Sequence, residues 1–268
     1  MSFLFILFSG YLILCIFVYV AQEKLVYSPS TIVSQTPGGM GLVFEELYID
    51  TSDGEKIHAW FIPSEEASRY VFFLHGNGGN IGNRLNTISI LNELGYSTLI
   101  IDYRGYGNSS GQPSEQGTYK DALAAFNYLM TYRKLQPKDI VIYGRSLGGA
   151  VAVWLAAQVH PSGLIIESTF SRLVDMGKHR YPFLPVKILT RVHYDSLSQI
   201  KEVKCPIFSA HSLDDETIPY ILGKSLAEAA PDLKRFVTLN GRHNEAFFDT
   251  GQSYYDELDG FIKDPKSF

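Results

Sequence analysis

Several features are scarce in this chain of 268 residues, and each scarcity excludes a class of protein. Only two cysteines occur, Cys15 in an apolar N-terminal run and Cys205 at the start of a strand-like segment, so we expect no disulfide framework. The net charge of −5 gives no basic excess, which argues against nucleic acid as the main partner. Internal repeats and low-complexity tracts are absent as well, so the composition indicates a globular protein.

Charged residues are also absent from residues 3–21, a run rich in Phe, Leu, Ile and Val. About 20 apolar residues suffice to cross a bilayer, so we predict a single-pass N-terminal membrane anchor over residues 1–22. A cleaved signal peptide and a buried helix are the alternatives. No Lys or Arg precedes the run, and Val18-Tyr19-Val20 is a poor cleavage site, which favours the uncleaved anchor. The positive-inside rule needs an excess of Lys and Arg on one side of the span, but here only Lys24 lies near it, beside Glu23. The side of the membrane that the domain faces therefore stays open.

The rest of the chain reads as a short connection followed by one domain. Residues 23–41 contain prolines and glycines, and they indicate a linker or an extended segment lying on the domain. Residues 42–268 have the length of a single α/β domain. Strand patterns at 43–50 and 56–62, separated by Ser52-Asp53-Gly54, predict a hairpin at the start of that domain.

Strand and helix patterns then alternate along the chain. Short apolar runs, typical of strands buried on both faces, lie at residues 70–74, 97–101, 139–143, 164–166, 206–210 and 236–239. Helical patterns lie at about 80–94, 119–130, 147–158 and 248–262. This alternation predicts an α/β fold, with a mostly parallel twisted sheet and helices on both faces. Residues 170–200 do not fit the alternation, and we interpret them as a small cap inserted over the top of the sheet.

The segment Gly144-Arg145-Ser146-Leu147-Gly148 carries the clearest chemical signal. G-x-S-x-G alone is weak, but here a strand pattern precedes it and small residues open a helix after it. Such a turn projects its serine hydroxyl at the carboxyl edge of the sheet, so Ser146 is the candidate nucleophile. The alternative is a glycine-rich turn with an incidental serine.

A serine hydroxyl needs a base to accept its proton. Of the seven histidines, only His211 and His243 follow Ser146 at plausible strand ends. His243 lies in a polar loop after the last predicted strand and before the last helix, where this kind of fold places its base. We therefore predict His243 as the base, the alternative being a surface loop histidine.

The carboxylate that orients this base should follow the strand that ends near residue 210. Asp214, Asp215 and Glu216 compete there, and spacing alone does not choose among them. A tetrahedral oxyanion also needs two backbone N–H donors. Leu147, directly after the candidate nucleophile, is one candidate, and Asn77 in the glycine-rich loop after the first buried strand is the other. That loop lacks the Lys-Ser/Thr ending of a phosphate-binding loop and the spacing of a dinucleotide fingerprint.

The sequence resembles the α/β-hydrolase superfamily, and more narrowly the Bem46 and ABHD13-like group of single-pass membrane hydrolases. The residues that carry the resemblance are His75-Gly76-Asn77-Gly78-Gly79-Asn80-Ile81-Gly82, Asp102-Tyr103-Arg104-Gly105-Tyr106-Gly107, Gly144-Arg145-Ser146-Leu147-Gly148-Gly149-Ala150 and His243-Asn244. It spans the chain from about residue 42 onward, and the N-terminal anchor also fits the group.

The resemblance selects among the three acids. The family's H-G-x-x-D-x-x-I-P pattern falls on residues 211–219 and places its acid at Asp215, although Ser212 stands where the family usually has glycine. It therefore implies a catalytic triad of Ser146, Asp215 and His243.

These features together predict a serine hydrolase that cleaves an ester or thioester through an acyl-enzyme, without a metal or organic cofactor. The aromatic residues of the cap and the nearness of the anchor to lipid favour a lipid or acyl substrate. A serine peptidase of the same fold and a catalytically inactive membrane-tethered binding protein are the alternatives. All three triad positions are filled, which argues against an inactive protein, and Ser146 argues against a dehalogenase, which would use an acid at the elbow.

Overall fold

A computed structural model describes residues 2–65, 67 and 69–268. Its strands are β1 Ser28–Pro29, β2 Glu45–Asp50, β3 Lys56–Ile62, β4 Tyr70–Leu74, β5 Gly78–Gly79, β6 Ser97–Ile101, β7 Ile140–Arg145, β8 Gly163–Glu167, β9 Ile207–Ser212 and β10 Leu233–Leu239. Its α-helices are α1 Ser2–Val26, α2 Leu85–Glu93, α3 Glu115–Thr131, α4 Leu147–Val159, α5 Leu173–Arg180, α6 Val186–Leu189, α7 Ser196–Gln199, α8 Tyr220–Glu228, α9 Ala246–Thr250 and α10 Gln252–Lys263. Short 3₁₀ helices lie at Pro37–Met40, Ile81–Arg84, Pro137–Asp139 and Ile200–Glu202.

One large sheet organises the domain. In the described part of the chain it holds eight strands in the order β10-β9-β8-β7-β4-β6-β3-β2. The strands β2 and β3 form the predicted antiparallel hairpin, β3 pairs antiparallel with β6, and the remaining neighbours run parallel. The prediction of a mostly parallel sheet is therefore confirmed. In open sheets of this kind, the loops that follow the carboxyl ends of the strands build the ligand site.

Helices cover both faces of the sheet because successive side chains of a strand point to opposite faces. In β4, Phe72 belongs to a buried cluster with Leu155 of α4. The next residue, Phe73, belongs to a second cluster with Ile88 of α2 and Phe261 of α10. Burial on both faces explains why the central strands have continuous rather than alternating apolar sequences.

The N-terminal helix and the segment after it are attached to the domain. Helix α1 is long and apolar enough to cross a membrane over residues 3–26, and it continues to Val26 rather than ending near residue 22. The part of the chain that directly follows α1 contacts the domain. Its strand β1 pairs in parallel with β5, and the hydroxyl of buried Tyr27 lies 2.9 Å from that of Tyr194.

The cap lies between β8 and β9 and contains α5, α6 and α7. It contacts the N-terminal helix at Gln22 and at Tyr11. The side-chain amide of Gln22 donates to the carbonyl of Leu189 at 3.1 Å, and its oxygen accepts the N–H of Val192 at 2.8 Å. Closer to the N-terminus, the Tyr11 hydroxyl donates to the carbonyl of Phe183 at 2.8 Å.

Two helices near the C-terminus differ from the sequence pattern. The predicted helix at 248–262 is divided into α9 and α10 at Gly251, whose φ of 64° is incompatible with a continuous helix. Helix α8 lies outside the predicted elements, and its Gly223 weakens the helical pattern. This glycine is set by packing, because a Cβ there would come within 2.0 Å of Nδ1 of His211.

Candidate active site

Ser146 lies in the sharp turn between β7 and α4, with a φ of 54°. A non-glycine residue in this conformation is strained, and its surroundings must hold it there. The N–H of Ser146 donates to the carbonyl of Glu167 at 2.9 Å. The glycines on either side admit the close backbone contacts, since a Cβ at Gly148 would lie 2.0 Å from the carbonyl oxygen of Leu74. Ser146 thus has the geometry that the sequence pattern of the turn predicts.

Three side chains from three separate loops meet at this turn. The Nε2 atom of His243 lies 3.1 Å from Oγ of Ser146, and its Nδ1 atom lies 2.7 Å from Oδ2 of Asp215. His243 and Asp215 are both buried, while Ser146 is half-buried and faces the cavities described below. The distances fit a base between a nucleophile and an orienting carboxylate.

The Asp215 carboxylate is held in its ionised form. Its Oδ1 atom accepts the backbone N–H groups of Thr217 at 2.9 Å and Ile218 at 2.7 Å. Burial raises the pKa of Asp215, but hydrogen bonds from His211 and His243 and the N–H of Ile218 outweigh it, so the pKa lies below its ordinary value. A carboxylate that is ionised at neutral pH can accept the Nδ1–H of His243 and leave Nε2 free to act as a base.

The two neighbouring acids have other partners or face the solvent. Asp214 is exposed. Glu216 is also exposed, and its carboxylate accepts the backbone N–H of His243 at 3.0 Å, which lowers the pKa of Glu216. Ser212, which stands where the resemblance leads one to expect glycine, donates a hydrogen bond to the carbonyl of Gly241. The hydroxyl thus connects the loop that carries Asp215 to the loop that carries His243.

The two candidate oxyanion donors lie beside Ser146. Leu147 is the first residue of α4, so its N–H is among the helix amides that have no acceptor within the helix. Asn77 lines the space next to Ser146. Its carbonyl accepts the hydroxyl of Tyr106 at 2.8 Å, and its side-chain amide donates to the carbonyl of Val26 at 2.8 Å. Among the described residues no acceptor is assigned to the backbone N–H of Asn77, so that group can donate to a ligand.

A buried ion pair supports the loop that carries His243, and sequence reasoning missed it. Arg145 places Nε 3.1 Å from Oε1 of Glu167 at the end of β8. Its Nη2 atom donates to the carbonyls of His243 at 3.0 Å and Asn244 at 2.8 Å. Arg145 occupies the first unspecified position of the G-x-S-x-G motif, directly before Ser146. The sequence alone does not show in which direction its side chain points.

Two cavities of different character meet at Ser146, and both are also lined by Asn77 and Thr217. One measures about 440 Å³ and lies between the cap and the end of α1. Its apolar lining includes Val18, Leu25, Leu173, Met176, Leu184 and Val192. The other measures about 430 Å³ and is lined by the glycine-rich loop after β4 together with Arg84, Arg145, His243 and Asn244. An apolar group and a polar group of one molecule can therefore occupy separate cavities that meet at Ser146.

Comparison with known sequences finds α/β hydrolases. The family described as serine aminopeptidase, S33, matches residues 65–196. The alpha/beta hydrolase domain-containing protein WAV2 of Arabidopsis thaliana is 34% identical over 283 residues, which cover 95% of this chain and 92% of that protein. Protein bem46 of Schizosaccharomyces pombe is 33% identical over 219 residues, covering 76% of this chain and 73% of that protein.

A lipase and an esterase are also among the similar proteins. The lysophosphatidylserine lipase ABHD12 of Danio rerio is 33% identical over 203 residues, covering 68% of this chain but only 52% of the lipase. Among solved structures, the esterase Pf2001 of Pyrococcus furiosus superposes with a TM-score of 0.74 and 20% identity, covering 88% of this chain and 98% of the esterase. At that identity the superposition shows the fold alone.

Proposed function

Because this chain belongs to the α/β-hydrolase family, in the group that includes bem46, we propose that it is a serine hydrolase that cleaves an acyl ester or thioester. The observation that carries the proposal is the connected series of Ser146, His243 and Asp215, with contacts of 3.1 and 2.7 Å at the carboxyl edge of the sheet. The lysophosphatidylserine lipase among the similar proteins supports the choice of reaction.

The reaction begins with proton transfer from Oγ of Ser146 to Nε2 of His243, while Oγ attacks the carbonyl carbon of the substrate. Asp215 accepts the Nδ1–H and stabilises the imidazolium. The N–H groups of Asn77 and Leu147 donate to the oxyanion. His243 then gives its proton to the leaving alcohol or thiol, and the acyl-enzyme forms. Water, deprotonated by His243, attacks the acyl-enzyme, and the carboxylic acid and free Ser146 are released.

The apolar cavity supports an acyl chain as the group transferred to Ser146. A volume of about 440 Å³ lies within the range of small-ligand pockets. Part of its wall comes from Val18, Leu25 and Val26 of α1, so the acyl site and the membrane anchor are one continuous apolar region. We therefore propose a lipid or other acyl ester that enters from the membrane side.

Membrane anchoring through residues 1–22 is part of the same proposal. Apolar side chains of α1 are exposed around the helix, among them Phe5, Ile13 and Val20. A helix with apolar side chains on all sides is stable when lipid surrounds it, but in water those side chains would be exposed at a cost in free energy. Retention of the helix in the mature protein would separate an anchor from a cleaved signal peptide, and N-terminal sequencing of the membrane-extracted protein measures this directly.

Two rival functions are tested by the same reagents. The family description favours a serine peptidase, which would release p-nitroaniline from aminoacyl anilides at least as fast as it cleaves esters. An inactive binding protein would not react with a fluorophosphonate probe. A serine hydrolase should react with the probe at Ser146 and should prefer esters.

The central experiment compares the purified full-length protein with its Ser146→Ala variant in a neutral detergent. Hydrolysis of p-nitrophenyl butyrate and fluorophosphonate labelling should both be lost, with kcat/KM falling more than about 10³-fold. Ser253→Ala, on the exposed side of α10, is the matched control and should retain both. Ester hydrolysis by folded Ser146→Ala at the wild-type rate would refute the assignment.

A further inference from the structure

The polar cavity lies where the leaving group of the proposed reaction must go. If the acyl chain occupies the apolar cavity, the scissile carbonyl lies at Ser146, and the remainder of the substrate continues into the second cavity. This inference rests on the proposed function and concerns what that second cavity recognises.

The cavity carries a cation without a neutralising partner. Arg84, at the end of the 3₁₀ helix after β5, donates from Nη2 to the carbonyl of Gly78, and its Nε atom is buried without a hydrogen-bond acceptor. No carboxylate of the described residues lies within ion-pair distance of its guanidinium, and the described lining includes no Asp or Glu. The other arginine of the cavity, Arg145, is paired with buried Glu167.

The acidic side chain close to Arg84, that of Asp102, already contacts other residues. Asp102 accepts the N–H of Ile81 at 2.9 Å with Oδ1, and its Oδ2 atom lies 3.0 Å from Nδ1 of His58. The cation therefore has no internal counter-charge that could move onto it. Burial and the neighbouring Arg145 lower the pKa of Arg84 to about 10, so the group still carries its charge at neutral pH.

An unpaired cation that is largely removed from water costs free energy unless a ligand supplies the missing counter-charge. A guanidinium matches the planar or tetrahedral oxygens of carboxylates and phosphates, and it can donate two parallel hydrogen bonds to them. We propose that Arg84 binds an anionic group, a phosphate or a carboxylate, on the leaving-group side of the substrate. The enzyme would thus select single-chain acyl esters of acidic alcohols.

The same charge disfavours other substrates. A choline group or the α-ammonium group of a peptide would place a second cation beside Arg84 and Arg145, with no acid in the described lining to compensate. The cavity therefore argues against an aminopeptidase and against esters of cationic alcohols.

The experiment uses decanoyl esters with one acyl chain and different leaving groups, presented in micelles of an uncharged detergent. The leaving groups are glycerol (uncharged), glycerol phosphate, glycolate (a carboxylate) and choline (a cation). The wild type should prefer the anionic esters to decanoylglycerol and should disfavour the choline ester. Preference for the phosphate, for the carboxylate or for both supports the proposal and identifies the anion.

The Arg84→Gln variant should lower the ratio of kcat/KM for the anionic and the uncharged ester roughly 10- to 100-fold, the loss expected for one charge-assisted hydrogen bond. Arg84→Lys should retain part of the preference because it keeps the charge. Arg235→Gln, which removes an exposed arginine paired with Glu257 far from the cavity, is the control and should keep the wild-type ratio.

Inorganic phosphate gives a test that needs no variant. At constant ionic strength it should inhibit hydrolysis of decanoylglycerol by the wild type more than chloride does. An unchanged anion preference in folded Arg84→Gln, or a wild type that hydrolyses decanoylglycerol without preferring anionic esters or responding to phosphate, would overturn the role of Arg84. A wild type that hydrolyses no ester and is not labelled at Ser146 would instead overturn the proposed function.

Discussion

The side-chain amide of Asn77 donates a hydrogen bond of 2.8 Å to the carbonyl of Val26, the last residue of the N-terminal helix. Asn77 is also the proposed donor to the oxyanion through its backbone N–H. The pairing of β1 with β5 adds a second connection between the same two segments. The N-terminal helix is therefore attached directly to the loop that carries the proposed oxyanion donor, and its influence should extend to the chemical step.

Replacing Asn77 with alanine should uncouple the loop from the helix without removing the backbone N–H. We expect kcat for a short ester to fall about 3- to 10-fold, equivalent to a net hydrogen bond of about 0.5–1.5 kcal/mol. Hydrogen exchange of residues 76–80 should become faster. Asn86→Ala, an exposed change on α2, should alter neither quantity, and an identical response of the two variants would contradict the coupling.

The buried pair of Arg145 and Glu167 should be important for both stability and activity. Arg145→Met removes the guanidinium from the carbonyls of His243 and Asn244 and leaves the Glu167 carboxylate buried without its cation. Loss of one partner of a buried pair costs about 3–5 kcal/mol of unfolding free energy. The displaced His243 loop should lower kcat about 10- to 100-fold, the scale seen when catalytic geometry shifts by about 1 Å.

Two further variants separate the pair from a general loss of packing. In Arg145→Met/Glu167→Gln neither position of the pair carries a charge. More than half of the unfolding free energy lost in Arg145→Met should therefore be recovered, while kcat stays low. Arg235→Met removes one partner of a half-exposed pair with Glu257 and should cost only about 0–1 kcal/mol. Denaturant unfolding in detergent measures both quantities, and equal costs for Arg145→Met and Arg235→Met would refute the role of the buried pair.

The sequence could predict those parts of the fold and site that depend on local patterns. Continuous apolar runs identified the central strands, and each candidate triad residue followed one of them, which places all three at one edge of a parallel sheet. Spacing left Asp215 equal to its two neighbours. What distinguishes it in three dimensions is the turn in which Thr217 and Ile218 donate to its carboxylate, together with its inward direction.

Other parts depend on contacts between segments far apart in the chain. The hydrogen bond from Asn77 to Val26 and those from Arg145 to the His243 loop join residues that no local pattern relates. The unpaired state of Arg84 likewise depends on the contacts of nearby Asp102 with Ile81 and His58, which composition does not reveal. Helix α8 was not predicted because Gly223 lowers the helix propensity of the segment. The glycine is required there by close packing against His211 of β9.

The low pKa of Asp215 should make stability depend on pH. Burial raises this pKa, but the hydrogen bonds from His211, His243 and Ile218 lower it by more. A carboxyl group with a depressed folded-state pKa stabilises the fold above its unfolded pKa of about 3.9, and this stabilisation is lost as the pH falls towards the folded value. The unfolding free energy of the wild type should therefore decrease relative to Asp215→Asn as the pH falls below about 4.

The same variant tests the catalytic role. Asp215→Asn should lower kcat for a short ester by roughly 10³- to 10⁴-fold, because the amide no longer fixes the tautomer of His243. Asp214→Asn, in the exposed neighbouring position, should retain activity. A larger loss for Asp214→Asn, or a stability difference between wild type and Asp215→Asn that stays constant from pH 7 to pH 2, would contradict the assignment.

The outer surface of the cap should enter the membrane beside the N-terminal helix. Tyr181, Phe183 and Ile188 are exposed there, with Ile188 80% accessible. The hydrogen bond from Tyr11 to Phe183 places the cap about 22 Å along the helix from Val26, at 1.5 Å per residue, which is well inside a bilayer if α1 spans it. Apolar side chains at that depth are stabilised by lipid, and a carboxylate is not.

Ile188→Asp should therefore impair hydrolysis of a long-chain ester embedded in vesicles more than hydrolysis of a short soluble ester. We expect the ratio of the two kcat/KM values to fall about 10-fold or more, given a cost of about 2.5–3.5 kcal/mol for an acid in the bilayer core. Tyr132→Asp is the control, since Tyr132 is 73% accessible and follows α3 at the opposite edge of the sheet. Because both variants add one exposed acid, equal ratios would show that the cap stays outside the lipid, and the substrate would then have to leave the bilayer to reach Ser146.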